Sequence, residues 1–463
     1  MSKAYGKVYL VGAGPGDAEL ITLKACRLIS QADVILHDHL MPPELLDLAK
    51  PGAEVISVGK FAGQHTLPQD QMNHLIIEKA KEGKIVVRLK GGDPYIFGRG
   101  GEEAQRCYDE GIEFEVVPGI SSAIAAGCYA GIPATHRDYT SSVAIVTGHR
   151  QQEQDLDIPK AGTVIFLMGV ANLPQIIQAL LEQGWAPETP IAAVERGACY
   201  DQRVVKGRLA DFLDVAAKAQ LRAPAVFIVG RVVELDDKLG WFARKPRIYL
   251  PGTHPRRYQH LGTIVHRPLI NPVPISDYSQ ADQVLGRLAE FDWVLFTSTN
   301  GVKFFFERLH AIGLDSRALA GCKVAAIGQT TAARLREDGI LVDLQPELEA
   351  SEGLVAELAR AGVKGARVLL VRPRTARNVI TEGLAAEGAF VKPVIMYENI
   401  EVEGLDTDFN YIDWILFTSG STVRAYVNRY GTTIPGTVKV YCLGRPTLDV
   451  ATKLGIAAEL LPS

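Results

Sequence analysis

The sequence predicts an α/β protein from its pattern, its composition and its length. Short, β-branched apolar runs alternate with longer amphipathic runs along the chain, as strands and helices do in folds built on largely parallel sheets. Hydrophobic residues make up 47% and charged residues 22% of the sequence, which is the balance of a globular protein. The 463 residues correspond to about three compact units of roughly 150 residues each.

The first elements follow one another as strand, helix and strand. KVYLVGAG at residues 7–14 predicts a strand, ELITLKACRLISQA at residues 19–32 a helix, and DVILHDHL at residues 33–40 a second strand. KIVVRLKGG at residues 84–92 predicts a further strand, and GEEAQRCYDEG at residues 101–111 predicts the helix after it. This order favours a parallel sheet.

The longest uncharged stretch, residues 116–135, predicts a buried and tightly packed helix. Pro118, Pro133 and several glycines interrupt it, whereas membrane spans are more uniformly apolar.

At the start of the sequence a strand pattern begins almost at once, at Lys7, which leaves no room for a signal peptide. We therefore expect a cytoplasmic protein with no membrane partner.

The pattern changes near residue 240, where a domain boundary is expected. DDKLGWFARKPRIYLPG at residues 236–252 places charges, a glycine, a tryptophan and a proline between two strand patterns. The part after the boundary repeats itself: residues 291–309 resemble residues 411–430, and a similar strand and turn follows each, at 323–340 and 439–456. This is an internal duplication of an α/β unit, and two similar lobes would enclose a cleft suited to a ligand.

The charge and the cysteines exclude several classes of partner. With 49 Lys and Arg against 53 Asp and Glu, the net charge is −4, so the whole molecule does not attract nucleic acid or an anionic membrane. The six cysteines lie far apart, without a C-x-x-C pair or close histidines. We expect reduced thiols and no metal site.

The loop VGAGPGD at residues 11–17 resembles a dinucleotide-binding turn, and Asp38 ends the next strand pattern, where a ribose-binding acid would lie. The spacing does not fit, because Asp17 occupies the position of the third glycine and Pro15 lacks the N–H that would bind pyrophosphate. This misfit counts against an NAD-dependent dehydrogenase, which we keep as an alternative function. The other alternative is that the loop is only a tight turn between a strand and a helix.

Two later motifs carry more chemistry. Gly91, Gly92 and Asp93 directly follow a strand pattern, where glycines allow close backbone approach and a carboxylate can accept hydrogen bonds from ribose hydroxyls or an amine. Ser121 and Ser122 stand at a predicted helix start.

Together with these loops, VRLKGGDPYIFGRGGEE, VPGISSA, GIPATHRDY and PAVFIVGRVVELDDKLGWF resemble the uroporphyrinogen-III C-methyltransferases over residues 5–243. The resemblance implies a first domain of about residues 1–243 with the two-lobed tetrapyrrole methyltransferase fold, S-adenosyl-L-methionine as cofactor and a homodimer formed through this domain. The residues that it places around the cofactor are Pro15, Gly91, Gly92, Asp93, Ile96, Ser121, Ser122, Met168, Gly197 and Ala225.

The same resemblance implies two catalytic residues. Asp38 aligns with the family's proposed base, which would remove a ring proton as the pyrrole carbon is methylated. Lys60 aligns with a cation that could hold a substrate carboxylate. The chain departs from the family pattern at His39 and Phe61, where basic residues often stand.

Residues 246–463 resemble uroporphyrinogen-III synthase through FTSTNGV, AAIGQTTA, VRP, MYEN, FTSGSTV and CLGRPT, in the family's order. The resemblance implies two α/β lobes, one of about 246–270 with 402–463 and another of about 276–396. The chain would cross between them at PLINPVPIS and KPVIMYENI, two links that would permit hinge motion.

In this second domain the resemblance implies a set of substrate-binding groups for acetate and propionate side chains. They are Thr297, Ser298, Gly328, Arg372, Thr418, Ser419 and Thr447. Tyr397 matches a suspected proton donor, and packing of a hinge tyrosine against a lobe is the alternative. In CLGRPT, Pro446 stands where the other copy of the repeat, AIGQTTA, has a threonine, so one hydrogen-bond donor is lost there. Further cations could face the cleft or form a solvated basic surface, and the two alternatives stay open for His254, Arg256, Arg257, His260, His266, Arg267, Arg374 and Arg377.

The combined expectation is a bifunctional enzyme of tetrapyrrole biosynthesis. The second domain would cyclise hydroxymethylbilane to uroporphyrinogen III with inversion of the last ring. The first would add two methyl groups, giving precorrin-2 and S-adenosyl-L-homocysteine. A methyltransferase with a non-catalytic, tetrapyrrole-sensing second domain is the remaining alternative.

Overall fold

The computed structural model describes residues 5–59, 68–149, 156, 158–402 and 406–462. The chain divides into two compact units, Met1–Pro246 and Arg247–Ser463. Lys60 and Phe61 lie outside the described residues.

The first unit begins with a parallel five-stranded sheet. Its strands are β1 (Lys7–Gly12), β2 (Val34–His37), β3 (Glu54–Ser57), β4 (Val86–Lys90) and β5 (Glu113–Val117), and its helices are α1 (Leu23–Gln31), α2 (Gln69–Lys81) and α3 (Gly100–Asp109). The strand order is β3-β2-β4-β1-β5, and every pairing is parallel. Apolar clusters cover both faces of the sheet. The strand and helix predictions for this region are confirmed.

A second sheet completes the first unit. Its elements are α4 (Ser122–Ala130), β6 (Val143–Thr147), β7 (Thr163–Leu167), α5 (Leu173–Glu182), β8 (Pro190–Glu195), β9 (Arg203–Arg208), α6 (Phe212–Lys218), β10 (Ala225–Val229) and α7 (Asp236–Leu239). The order is β6-β7-β10-β8-β9. Only β6 and β7 pair in parallel, and the other three pairs are antiparallel. The short loop 196–202 between β8 and β9 allows a hairpin but no parallel crossover.

Helix α4 confirms the prediction for the middle of the uncharged stretch, whereas residues 116–117 end β5 and residues 131–135 follow the helix. Ser121 caps its start by accepting a hydrogen bond from the Ala123 N–H, and Gly131 ends it with φ of 76°. Six of its residues are buried, and three of them pack in the apolar cluster against the second sheet. Across the described ranges, no helix combines the length and apolar character that crossing a membrane requires.

The second unit contains two further five-stranded sheets. Its strands are β11 (Arg247–Leu250), β12 (Thr263–His266), β13 (Ile270–Pro274), β14 (Trp293–Phe296), β15 (Lys323–Ala326), β16 (Arg367–Pro373), β17 (Phe390–Glu401), β18 (Trp414–Phe417), β19 (Lys439–Cys442) and β20 (Glu459–Leu460). Its helices are α8 (Ser279–Leu285), α9 (Thr299–Ala311), α10 (Gln329–Glu337), α11 (Ser351–Ala361), α12 (Val379–Ala386), α13 (Gly420–Tyr430) and α14 (Arg445–Lys453). The sheet orders are β12-β11-β18-β19-β20 and β13-β17-β16-β14-β15.

The internal repeat corresponds to one strand–helix–strand–helix unit in each sheet. β14, α9, β15 and α10 form one copy, and β18, α13, β19 and α14 form the other, so the predicted duplication is confirmed. The two segments that join the sheets pair with each other: β13 runs antiparallel to the end of β17, from Ile270 opposite Glu401 to Pro274 opposite Tyr397. All other pairs in these two sheets are parallel.

Candidate active sites in the two units

The loops predicted to hold the cofactor meet at the carboxyl edge of the first sheet. Because β1, β2, β4 and β5 are parallel, their carboxyl ends lie at the same edge, the usual ligand position in such sheets. Gly14 donates its N–H to the Gly92 carbonyl at 3.2 Å, and Gly92 donates back to the Gly14 carbonyl at 2.7 Å. The loops after β1 and β4 are thus joined through their backbones.

Glycine is required where these loops approach most closely. A Cβ atom on Gly12 would lie 2.5 Å from the Gly119 nitrogen and 2.7 Å from the Gly92 oxygen. Gly92 itself has φ of +67°, a conformation that side chains other than glycine rarely adopt. The three loops therefore approach one another closely through the backbone of their glycines.

Asp93 connects two of the loops. One carboxylate oxygen accepts a hydrogen bond from the Tyr95 N–H at 2.8 Å, and the other accepts one from the Gly119 N–H at 3.1 Å. The side chain is half-buried, and each oxygen keeps a further lone pair for a ligand.

The predicted cofactor residues of the second sheet also share one edge. Met168 follows β7, Gly197 follows β8, and Ala225 begins β10. β10 runs antiparallel to both neighbours, with Ala225 opposite Glu195. Met168 is 53% exposed, so it is not a core residue.

Backbone strain marks the same region. Among the described residues, the non-glycine residues with positive φ are Phe97, Arg99, Met168, Arg196, Ala198 and Gln220. All but Gln220 coincide with a predicted cofactor residue or lie within three positions of one. Such conformations cost of order 1–3 kcal/mol each and concentrate at functional sites.

The two sheets of the first unit come together at these loops. A Cβ on Gly16 would lie 2.5 Å from the Cys199 Sγ and 3.3 Å from the Gly197 oxygen. A Cβ on Gly197 would lie 2.7 Å from the Ala126 Cβ on α4. The loop that carries Gly197 therefore contacts both the loop that carries Pro15 and the middle of α4.

Asp38 lies beside this cluster. It follows β2, and its N–H donates to the Leu89 carbonyl at 3.1 Å. Its Oδ1 accepts a hydrogen bond from the Arg88 Nη2 at 2.5 Å. The Leu40 carbonyl lies 3.0 Å from the position of a Cβ on Gly91, so the Asp38 loop adjoins the glycine loop.

A buried ionic cluster under the site was not predicted. The Glu103 side chain is fully buried, and its Oε1 accepts hydrogen bonds from the Lys90 Nζ at 2.8 Å and the Arg88 Nε at 3.2 Å. Burial, and next the Arg88 charge, lower the pKa of Lys90. The sequence did contain a signal for this cluster. Arg88 and Lys90 stand at alternate positions of the apolar strand VVRLK, and this strand lies inside the sheet.

In the second unit the predicted residues lie where strands lead into helices. Ser298 caps α9 by accepting from the Gly301 N–H at 2.9 Å. Ser419 caps α13 by accepting from the Thr422 N–H. The remaining predicted residues of this kind stand just before or at the start of the repeat helices: Thr297, Gly328, Thr418 and Thr447. Free N–H groups at helix starts are suited to anions.

Tyr397 is buried, with 4% exposure. Its hydroxyl shares a hydrogen bond of 2.9 Å with the Ser298 Oγ, and its ring stacks on Phe304 at 5.4 Å between centroids. Burial raises the pKa of Tyr397. The ring contact fits a packing role for Tyr397. The contact with Ser298 fits the alternative, a proton donor that acts through the start of α9.

Several predicted anion-binding groups already have partners within the chain. Arg372 donates to the Ala376 carbonyl at 2.7 Å and to the Asn378 Oδ1 at 3.2 Å. At the start of α10, Glu349 accepts the N–H of Gln329 at 2.9 Å. A substrate carboxylate would have to replace Glu349 to reach that helix start.

The basic segment after β11 approaches the other sheet of this unit. His254 Nε2 lies 3.5 Å from the Thr299 Oγ1 at the start of α9. Burial, with the charges of Arg257, His266 and Lys303, lowers the pKa of His254. A carboxylate bound between these cations would oppose that effect.

Two α/β units with ligand-type loops at strand ends define a fusion of two enzyme domains. Residues 7–213 match the family of tetrapyrrole (corrin/porphyrin) methylases, and residues 256–463 match the uroporphyrinogen-III synthase HemD family. The chain belongs to the tetrapyrrole methylases through its first unit and to the uroporphyrinogen-III synthases through its second. The prediction of a fused methyltransferase and synthase is confirmed.

Two relatives in sequence agree with this assignment, and one similar solved structure is given after them. The porphyrin biosynthesis protein HemD of Ruminiclostridium josui is 36% identical over 475 residues, covering 98% of this chain and 94% of its own. The S-adenosyl-L-methionine-dependent uroporphyrinogen III methyltransferase of Methanosarcina barkeri is 54% identical over 52% of this chain and 97% of its own. A crystal structure of uroporphyrin-III-C-methyltransferase from Thermus thermophilus is 43% identical over 50% of this chain and 96% of its own, with a TM-score of 0.44.

Proposed function

We propose that the second unit cyclises hydroxymethylbilane to uroporphyrinogen III with inversion of the last ring. The first unit then methylates this product twice with S-adenosyl-L-methionine, giving precorrin-2 and S-adenosyl-L-homocysteine. One unit thus makes the substrate that the other consumes. The R. josui relative covers both units, and the M. barkeri relative, named for this cofactor and substrate, covers the first.

The observation that carries the proposal is the meeting of backbone loops from both sheets of the first unit. Pro15, Gly91–Asp93, Ser121–Ser122 and Gly197 lie on loops that contact one another. These loops, with Met168 and Ala225, would hold the cofactor. When bound, the cofactor supplies a methyl group on a positively charged sulfur. The protein accelerates transfer by holding the reactants in line and excluding water.

Asp38 is the group that we propose as the base. Its carboxylate lies at the same sheet edge as the cofactor loops, and its Oδ1 accepts a hydrogen bond from Arg88. The side chain remains 31% exposed, so a substrate can reach it. Removal of the pyrrole proton by a positioned carboxylate contributes roughly 10²–10⁴-fold in such reactions.

In the second unit, hydroxyls and helix starts would bind the substrate carboxylates. Ser298 and Ser419 cap equivalent helices of the repeat, so two similar anion sites are available. Tyr397 would donate a proton to the departing hydroxyl group through its contact with Ser298.

The full-length protein provides the test. Incubated with hydroxymethylbilane and S-adenosyl-L-methionine, it should give a macrocycle carrying two added methyl groups by mass spectrometry. Without the methyl donor it should give uroporphyrinogen III. Formation of only the uninverted isomer would refute the synthase assignment and favour the sensor alternative.

Cofactor choice is tested separately by equilibrium dialysis. We expect the protein to retain S-adenosyl-L-homocysteine and not NAD; the opposite result would favour the dehydrogenase alternative.

The expected homodimer remains a proposal, which sedimentation velocity tests directly.

A further inference from the structure

We propose that Arg88 is a positioning residue that fixes Asp38 for methyl transfer, and that buried Glu103, itself held by Lys90, fixes Arg88. The proposal rests on the proposed methyltransferase function, in which Asp38 is the base. It adds three residues that the cofactor and substrate assignments above do not use.

The geometry of Arg88 supports this role. It lies on β4, between β2 and β1 in the sheet, and its side chain is 2% exposed. Nη2 donates to Asp38 at 2.5 Å, Nε to Glu103 at 3.2 Å and Nη1 to the Leu89 carbonyl at 3.2 Å. All three guanidinium nitrogens are thus engaged, and the planar group has a fixed direction.

Glu103 is the centre of the buried cluster. Its side chain is fully buried on α3, and one oxygen, Oε1, accepts from both Arg88 and Lys90. The other oxygen, Oε2, has no hydrogen-bond partner within the described part of the chain. Two cations and two carboxylates, counting Asp38, balance the charge of the cluster.

Stability does not explain this cluster well. Buried ion pairs are costly to desolvate, and well-packed apolar residues often stabilise a core as much or more. The cluster instead connects the loop of Asp38 to β4, which ends at Lys90 directly before Gly91, so it orients the base relative to the cofactor loops. An orientation of this kind affects the chemical step more than binding.

The matched control for the ion pair of Asp38 with Arg88 lies at the other end of β2. Asp33, just before β2, forms an ion pair with Lys50 at 2.5 Å and accepts the Ile85 N–H at 2.8 Å. Asp33 and Asp38 therefore flank one strand and are each held by a cation. Only Asp38 lies at the carboxyl edge, so Lys50→Gln should leave methylation unchanged.

The experiment compares Arg88→Gln, Arg88→Lys and Lys50→Gln in the full chain, with uroporphyrinogen III as substrate. We expect Arg88→Gln to lower kcat for methylation roughly 10²-fold, while KM and the dissociation constant of S-adenosyl-L-homocysteine change less than about twofold. Arg88→Lys, which keeps a charged donor, should recover part of the rate.

A double-mutant cycle with Asp38→Asn separates positioning from a general structural effect. If Arg88 acts through Asp38, Arg88→Gln should cause little further loss in the Asp38→Asn protein. Equal losses in both backgrounds would overturn the proposal, and so would a normal kcat for Arg88→Gln. If Arg88→Gln does not fold, Arg88→Lys and Glu103→Gln take its place in the cycle.

The outcomes also distinguish this inference from the proposed function. If wild-type protein methylates and Asp38→Asn is slow but Arg88→Gln is normal, only the role of Arg88 is refuted. If Asp38→Asn turns over normally, Asp38 is not the base, and both its assignment and the role of Arg88 are refuted. If wild-type protein transfers no methyl group, the proposed function itself is wrong.

Discussion

The chemistry open to Tyr397 is limited by its burial. Desolvation favours the neutral phenol and raises the pKa of Tyr397, so the group is protonated at neutral pH and can donate but not accept a proton. Its hydroxyl has Ser298 as partner, whose Oγ also caps α9. Any proton from Tyr397 would therefore leave along the Ser298 hydroxyl.

The substitution Tyr397→Phe removes the hydroxyl and keeps the ring that stacks on Phe304. We expect the rate of hydroxymethylbilane cyclisation to fall about 10²-fold, with a loss of about 1 kcal/mol in unfolding free energy for the missing hydrogen bond. Initial rates and urea unfolding measure the two effects.

Ser298→Ala is the companion variant for this test. It removes the helix cap, which costs about 1 kcal/mol, and leaves the Tyr397 phenol in place without its partner. An unchanged rate in Tyr397→Phe with only the stability loss would assign the tyrosine to packing. A slow Tyr397→Phe would support the proton-donor role.

The sequence predicts site residues whose type is required by their local backbone position. It does not predict residues whose role depends on contacts with segments far away in the chain. Gly92 could be predicted because its position after a strand calls for a glycine, and its φ of +67° agrees. Glu103 could not, because an acidic residue on an amphipathic helix is usually solvated, and only the tertiary fold brings it to Arg88 and Lys90. The strained backbone of Met168 likewise has no signal in the sequence.

At the scale of elements, the strand pattern left the direction of the strands open. Apolar runs predict strands but not their direction, so the antiparallel pairs of β10 with β7 and β8 did not follow from the pattern. The repeat in the second unit was predictable because two copies of the same pattern fold alike. Pro446 is accommodated in the first turn of α14, where its missing N–H breaks no helical hydrogen bond.

The end of α4 gives a prediction about packing between elements. Gly131 has φ of +76°, and a Cβ there would lie 2.3 Å from the Gly240 nitrogen and 2.4 Å from the Leu239 carbonyl carbon. Backbone atoms cannot move aside as a flexible side chain would. We expect Gly131→Ala to destabilise the first unit by more than about 3 kcal/mol, measured by urea unfolding.

Gly52→Ala is the matched control for Gly131→Ala. Gly52 has φ of +84° and open space around the added methyl group, so it isolates the cost of the left-handed conformation, about 1–2 kcal/mol. Equal losses in the two variants would mean that the contact between the end of α4 and residues 239–240 is not tight in solution.

At the scale of the whole molecule, long-range electrostatics does not favour the proposed substrates. The net charge is −4, and exposed charges are screened beyond roughly 8 Å at physiological salt. Arg374 and Arg377 pair with Glu398 and Glu352 within the chain. Binding of an acid-rich macrocycle must therefore depend on local donors, chiefly helix starts and hydroxyls, with cations released from internal pairs.

Separate sheets and separate cores predict that the two activities can be removed one at a time. Asp93 holds the loops of the first unit through Tyr95 and Gly119, and each unit has apolar clusters of its own. In the full chain, Asp93→Ala should weaken binding of S-adenosyl-L-homocysteine about tenfold or more, since two charge-assisted hydrogen bonds are lost. With hydroxymethylbilane and limiting methyl donor, unmethylated uroporphyrinogen III should accumulate while its rate of formation stays unchanged.

The reciprocal variant, Ser298→Ala, should slow formation of the macrocycle but leave methylation of added uroporphyrinogen III at the wild-type rate. Product analysis by mass spectrometry distinguishes the two patterns, and circular dichroism confirms that both variants fold. A loss of both activities in either folded variant would contradict independent units. Such coupling would mean that the loop at Asp93 or the cap at Ser298 acts beyond the sheet that carries it.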